Sequence, residues 1–144
     1  MKKMITASNY EVIPLDLRTN VRFYTSVDFG SYVPPHWHDA IEILYLQEGE
    51  LKVNTESTSR NLHSGQCTLI QPNKVHSTLC TRPNKAIVFQ IPLLFLEKFV
   101  SDAAQLTFQL EGTPRQASQP EWDRQKTQIN QFKEKLEQMQ FIMD

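Results

Sequence analysis

The sequence predicts a mainly β domain, an antiparallel barrel or sandwich of short strands followed by C-terminal helices. Turn-forming residues recur between short apolar or alternating segments over roughly the first ninety residues. After Pro92 the apolar residues change to helical spacing. A chain of 144 residues is long enough for one domain with a core of its own.

The N-terminal part divides into a short polar arm and a barrel. Residues 1–9 are polar and are expected to form a mobile arm, whereas residues 10–92 are assigned to the barrel. Tyr10 to Leu17 has an extended character. Residues 20–29 alternate, with one face expected to pack inward and the other to be wet or to line a pocket. The first of these faces carries Val21, Phe23, Thr25, Val27 and Phe29.

The central strands follow from apolar runs and turn signals. The segment Ile41 to Gln47 is apolar on both faces, which predicts a strand covered on both sides. Glu48 to Glu50 is expected to turn the chain into a strand at Leu51 to Thr55, and Glu56 to Asn61 is expected to be a loop or hairpin tip. Further strands are expected at Gln66 to Gln71, Val75 to Thr81 and Lys85 to Ile91.

Helices are predicted in the last third, residues 93–144. Pro92 to Ser101 has helical spacing, whereas residues 102–117 are ambiguous, with a loop at Gly112 to Ala117. Ser118 to Glu121 matches a capping box, so a long helix should begin there. Its pattern continues unbroken to Asp144, which suggests a fragment of a longer protein.

An apolar stripe with a seven-residue repeat runs along this last helix, from about residue 121. We expect the stripe to pair two chains in a homodimer, and the alternative is that it packs on the chain's own barrel. We call its six residues the helix seam: Trp122, Ile129, Phe132, Leu136, Met139 and Met143.

Three histidines and a glutamate form the candidate site. His36 and His38 leave the same face of an extended strand, Glu42 has the same parity, and His76 follows a turn signal at Pro72 and Asn73. Imidazoles and a carboxylate suit Zn, Mn, Fe, Ni or Cu, which makes a metal site one interpretation. The alternative is a set of hydrogen-bonding groups for an organic ligand, or a structural network.

Two neighbours of His76 are further candidates for ligand contact. Thr78 and Cys80 share its parity, so both should face the interior if His76 does. Cys80 is better explained as a small buried apolar residue than as a metal ligand. His63, beside a turn, is expected to face solvent.

Composition excludes several classes of protein. The 15 Lys and Arg residues are balanced by 16 Asp and Glu residues, so the chain has no basic footprint for nucleic acid. Residues 1–10 lack the apolar run of a secretory signal, and no segment is long enough to span a membrane. The two cysteines do not indicate a disulfide framework. These features predict a cytoplasmic protein.

The segment from Gly30 to Gly49 resembles the first motif of the cupin superfamily. Gly, five residues, His-x-His, three residues, Glu, six residues and Gly are all present. The second motif is matched loosely by Gly65, Pro72 and His76, because Lys74 stands where glycine is common and Cys80 replaces an asparagine. The resemblance implies an antiparallel jelly-roll barrel.

The segments Pro34 to Leu51 and Gly65 to Ser77 resemble more narrowly the effector-binding half of AraC-type transcription regulators. That resemblance implies a small effector, such as a sugar, inside the barrel, with no cofactor required and no catalytic residues. It also implies dimerisation through the C-terminal helices, and DNA binding only through a further helix-turn-helix domain that this chain lacks. The alternative is a small metal-dependent cupin enzyme, such as a dioxygenase or sugar isomerase, which would use Zn, Mn, Fe or Ni.

Overall fold

The computed structural model describes residues 4–5, 9–110 and 118–143. The chain divides into two compact units, Met1–Thr107 and Phe108–Asp144. The strands are β1 Met4–Ile5, β2 Glu11–Val12, β3 Arg22–Asp28, β4 Tyr32–His36, β5 Ala40–Thr55, β6 Ser59–His63, β7 Cys67–Ile70 and β8 His76–Pro92. The helices are α1 Leu93–Leu96, a 3₁₀ turn Ala103–Gln105 and α2 Gln119–Met143.

All named strand pairs are antiparallel, as predicted. β1 pairs with β2, and the main sheet has the order β3-β8-β5-β6, with β4 added to β8 and β7 added to β5. The two long strands β5 and β8 therefore pair with every other strand of the main sheet. Within the described part of the chain, no pairing joins β3 to β6, so the sheet is not closed into a barrel by hydrogen bonds.

β8 is nevertheless strongly curved. His76 at its start and Gln90 near its end both reach Glu42, at 3.7 Å and 2.5 Å respectively. A straight strand would separate two such residues by about 46 Å at about 3.3 Å per residue. The curvature brings the two ends of the strand to one place and creates an interior for the site.

β5 and β8 are each continuous where the sequence analysis predicted interruptions. The expected turn at Glu48 to Glu50 is wrong, because β5 runs through it with Gly49 at φ 82° and shifts in register between Leu46 and Lys52. The two strands predicted at residues 75–81 and 85–91 are one strand. A bulge with a positive-φ glycine bends a strand without ending its ladder, which accounts for the difference in β5. β8 continues through the predicted break, where Asn84 pairs with Asp28 of β3.

Gly49 should be far less tolerant of a side chain than Gly65. A Cβ at Gly49 would lie 2.0 Å from the carbonyl oxygen of Pro83, whereas a Cβ at Gly65 would meet nothing within 4 Å. Both glycines have positive φ, which costs a non-glycine residue about 1–2 kcal/mol. We expect Gly65→Ala to lower the free energy of unfolding by only this amount. Gly49→Ala should lower it by a further ~1–3 kcal/mol, because the backbone must be displaced. Urea unfolding measures both, and equal losses would contradict this account of the bend.

The core is formed by buried apolar side chains of β5, β6, β7 and β8. Residues 40–46 are buried, which confirms that this segment is covered on both sides. On β3 Tyr24 packs against the core, whereas Val27 is exposed, as is Phe29 directly after the strand. The core cluster consists of Leu44, Leu46, Leu51, Val53, Leu62, Ile70, Ala86 and Val88.

The helices agree in part with the prediction. α1 is shorter than the helix expected at Pro92 to Ser101. α2 begins as predicted, with the Glu121 amide donating to Ser118 Oγ at 3.3 Å. The helix seam lies along one side of α2, and its pairing stays a prediction. Most of the expected arm and the loop at residues 112–117 lie outside the described residues. Of the helices described, none has the length and apolar character to cross a membrane.

Candidate metal centre

Three histidines and Glu42 converge where the two ends of the curved strand β8 meet. His36 ends β4 and pairs in register with His76, the first residue of β8. His38 follows in the link to β5, which carries Glu42. All four residues are at most 1% exposed. Nitrogen atoms of the three histidines lie within 4.8 Å of one another.

Each imidazole is held by the same backbone interaction. His36 Nδ1 lies 2.9 Å from the Pro34 carbonyl oxygen, and His38 Nδ1 lies 3.1 Å from that of Ala40. His76 Nδ1 lies 2.9 Å from the Lys74 carbonyl oxygen. A carbonyl oxygen only accepts, so each Nδ1 carries the proton and donates it. In the neutral ring, Nε2 then presents a lone pair. Metal-binding histidines are oriented in this way.

Glu42 is fixed by a row of side chains across three strands. In the ladder Arg22 stands opposite Gln90, and Gln90 stands opposite Glu42. Arg22 Nη1 donates to Gln90 Oε1 at 3.4 Å, and Gln90 Nε2 donates to Glu42 Oε1 at 2.5 Å. The same oxygen lies 3.3 Å from His38 Nε2. Residues directly opposite on one face of a sheet are close enough to interact, so register alone builds this row.

The histidines differ in their proton affinity. Burial lowers the pKa of His76 to about 4, since the charged ring would lose its hydration. His76 is therefore neutral at pH 7 and able to offer its lone pair. Burial also acts to lower the pKa of His38, but the hydrogen bond that its charged ring donates to Glu42 and the charges of Glu42 and Glu11 outweigh it and raise that pKa.

The residues fit a divalent transition metal. Three imidazole nitrogens and a carboxylate are the donor set favoured by Zn, Mn, Fe or Ni. Among the described residues, His76 Nε2 has no hydrogen-bond partner and lies 3.7 Å from Glu42 Oε2. A buried nitrogen left in this state is costly in a purely structural network and suited to a metal ligand. A metal held by His36, His38, Glu42 and His76 would supply Lewis acidity toward a bound molecule.

A cavity of about 670 Å³ lies beside the cluster, within the unit Met1–Thr107. Glu42 and Thr78 are on its wall, together with Tyr24, Asp28 and Asn84. Cys80 is buried, and its sulfur interacts with the Arg82 carbonyl at 3.0 Å and with Asn84 Nδ2 at 3.3 Å. The structure thus places Thr78 on the cavity wall and directs Cys80 to neighbouring polar groups. His63 faces solvent and lies 3.5 Å from Glu50.

Two buried residues that contact the cluster were not found from the sequence. Gln90 is fully buried against Glu42. It follows Ala86 and Val88 at two-residue spacing, so the sequence signal was a polar residue on the same strand face as these two apolar residues. Glu11 is also fully buried, with Oε1 3.9 Å from His38 Nε2. No local pattern in the sequence distinguishes Glu11 from a surface glutamate.

Comparisons with known proteins agree with this fold. Residues 23–92 match the family model described as "Cupin domain". A cupin superfamily protein from Desulfitobacterium hafniense has a TM-score of 0.51 at 12% identity, over 56% of this chain and 74% of that chain. The Cnp3 cupin domain of Schizosaccharomyces pombe has a TM-score of 0.51 at 9% identity, over 61% of this chain and 67% of that chain. An RmlC-like cupin from Shewanella frigidimarina has a TM-score of 0.48 at 23% identity, over 51% of this chain and 67% of that chain. The chain has no significant match among curated proteins.

Proposed function

We propose, from the premise that residues 23–92 form a cupin domain, that the chain is the small-molecule sensing and dimerisation part of an AraC-type transcription regulator. The observation that carries this proposal is the cavity of about 670 Å³ whose wall includes Glu42 of the buried cluster. Small-molecule sites have volumes of about 300–1,000 Å³ and combine apolar walls with a few placed polar groups. The effector would lie in this cavity.

The lining favours a small polyhydroxylated molecule such as a sugar. Polar groups of Tyr24, Thr78 and Asn84 lie on the wall, while Leu44 and Val88 supply apolar surface. Asn84 Nδ2 already donates to the Glu50 carbonyl at 3.0 Å. Asp28 is already engaged, since its carboxylate accepts hydrogen bonds from Ser31 and from the Gly30 amide. A metal ion in the cluster would bind a hydroxyl or carboxylate of the effector from the Glu42 side.

Signal transmission requires an effector that binds two arrangements of the protein with different affinity. Only such a difference shifts the populations of the two arrangements. In this proposal α2 pairs two chains, and DNA is contacted by a domain outside residues 1–144. A gene that continues past Asp144 into a basic, helix-rich domain would support the regulator.

A metal-dependent cupin enzyme is the second candidate. It is favoured by the position of Glu42, which belongs to the candidate metal cluster and also lines the cavity. A substrate in the cavity would therefore lie next to the metal. A dioxygenase or a sugar isomerase would use this arrangement.

Titration of the metal-loaded chain with monosaccharides and small carboxylates tests both candidates. We expect a sensor to bind a ligand, to gain thermal stability and to return the ligand chemically unchanged. Thr78→Tyr should fill the cavity and weaken binding at least about ten-fold, which corresponds to about 1.4 kcal/mol. Leu79→Tyr is the matched control, because Leu79 is the next residue on β8 and is partly exposed.

The fate of the ligand separates the two functions. A ligand converted to product, as seen by nuclear magnetic resonance of the incubation mixture, would establish the enzyme and overturn the sensor. Equal weakening by Thr78→Tyr and Leu79→Tyr would show that the ligand binds elsewhere.

A further inference from the structure

We propose that Glu11 is a further metal ligand, and that a metal ion bound through it holds the segment Asn9–Val12 against the link that carries His38. This inference rests on the metal site of the proposed function. It adds a ligand from the N-terminal part of the chain, outside the strands that carry the other four.

Backbone hydrogen bonds place Glu11 at the site. The Glu11 amide donates to the Trp37 carbonyl at 2.8 Å, and the Trp37 amide donates to the Asn9 carbonyl at 2.9 Å. The rings of Tyr10 and Trp37 pack edge to face with their centroids 4.7 Å apart. Side chains alternate along an extended segment, so this contact directs Glu11 to the opposite side, toward the interior.

The Glu11 carboxylate is buried without compensation by hydrogen bonds. Its side chain is 0% exposed, and neither oxygen has a hydrogen-bond partner in the described part of the chain. An isolated carboxylate in this state costs several kcal/mol. A cation bound by the carboxylate would remove that cost.

The geometry around Glu11 suits a cation. Donor atoms of Glu11, His38 and Glu42 lie within 4.8 Å of one another. Glu11 Oε1 is 3.9 Å from His38 Nε2, which is too long for a hydrogen bond. Two donors on one metal ion at about 2.1 Å stand roughly 3–3.5 Å apart, so a shift of less than about 1 Å brings Glu11 into coordination.

The charges also favour a second carboxylate. Three neutral imidazoles and Glu42 would leave a buried divalent ion with one uncompensated positive charge. Glu11 supplies the second negative charge, so the ion and its five ligands are neutral. Burial of a charge without a partner is unfavourable, and Glu11 removes this penalty.

Titration of the 144-residue chain with Co²⁺ and Zn²⁺ tests the inference on three variants: wild type, Glu11→Gln and Glu56→Gln. The last variant is the matched control, since Glu56 is exposed in the hairpin tip. Competition with a chromophoric chelator gives affinity, and the visible absorption of Co²⁺ reports its coordination. We expect Glu11→Gln to bind both ions at least about ten-fold more weakly and to change the Co²⁺ spectrum, as loss of a ligand requires.

Hydrogen exchange at the backbone amides of residues 11 and 37 reports the coupling to the N-terminal segment. Metal should slow both amides in the wild type and in Glu56→Gln, but not in Glu11→Gln. Thermal unfolding of the metal-free proteins controls for folding. Glu11→Asp keeps a carboxylate and should restore part of the metal-dependent protection, which tests the inference even if Glu11→Gln does not fold.

The possible failures are distinguishable. Wild-type protein that binds neither ion overturns this inference together with the metal part of the proposed function. Wild-type protein that binds metal while Glu11→Gln keeps the same affinity and Co²⁺ spectrum overturns only the role of Glu11. Metal-dependent protection that persists in Glu11→Gln overturns the coupling.

Discussion

Replacing Ile129 and Leu136 together by glutamate should lower the association constant of the chain about a thousand-fold. Leu136 is already buried in the single chain and Ile129 is half-buried, and in the proposed dimer both lie in the helix seam, where two charges would be buried without partners. A buried charge without a partner costs about 3–5 kcal/mol, and about 4 kcal/mol corresponds to a thousand-fold change in the association constant. Sedimentation velocity over a range of concentrations measures the effect.

A second double variant controls for added charge. Gln131→Glu with Gln138→Glu places two charges on α2 at the same spacing, at two residues that are exposed and outside the seam. We expect this variant to dimerise like the wild type. A wild-type chain that stays monomeric at high micromolar concentration, or a seam variant that stays dimeric, would contradict pairing through the seam. The dimer interface would then have to be sought on the strands.

The double variant His38→Ala, His76→Ala should lose its metal. We expect the wild-type chain, purified without a histidine tag, to carry near-stoichiometric transition metal. Removing two of the three histidine ligands should weaken binding by more than about a hundred-fold, since loss of a single supporting residue already costs 10–100-fold. Elemental analysis and Zn²⁺ titration measure the metal content and the affinity.

His63→Ala is the control for this experiment. The chain has four histidines, and His63 is the one in contact with solvent, with a side chain 59% exposed. Its replacement should leave metal content unchanged. Wild-type protein that contains no metal and does not bind added Zn²⁺ or Mn²⁺ would contradict the metal site. The cluster would then be a set of hydrogen-bonding groups beside the cavity.

Local spacing predicted three residues of the site, although the structure places His36 on β4, His38 in the following link and Glu42 on β5. In an extended chain, the two-residue spacing of His36 and His38 and the parity of Glu42 would place these side chains on one face. His76 was found from its turn signal and from the second motif. These residues do converge in the structure.

Glu11 and Gln90 escaped prediction because their positions depend on long-range register. Gln90 reaches Glu42 only through the pairing of β5 with β8, and that register passes through several shifts between Leu46 and Lys52. Glu11 depends on a contact with Trp37 far along the chain. A single sequence contains no local pattern for either relation.

The strand boundaries failed for a related reason. Gly49 is a turn signal in sequence, yet in the fold it provides a positive φ where the chain of β5 passes within reach of Pro83. A glycine between two extended segments is compatible with a hairpin and with a bulge in one strand. The partner strand decides between them.

The curvature of β8 also determines when the site forms during folding. Glu42 and Gln90 are 48 residues apart, and Arg22 and Gln90 are 68 residues apart. Closing a loop of this length costs on the order of 3 kcal/mol in chain entropy, whereas a hydrogen bond to a charged group contributes about 1.5–3 kcal/mol. These contacts therefore persist only after the ladder between β5 and β8 has formed. The ligands meet late on the folding route, so a metal ion would act by retaining the native state rather than by nucleating it.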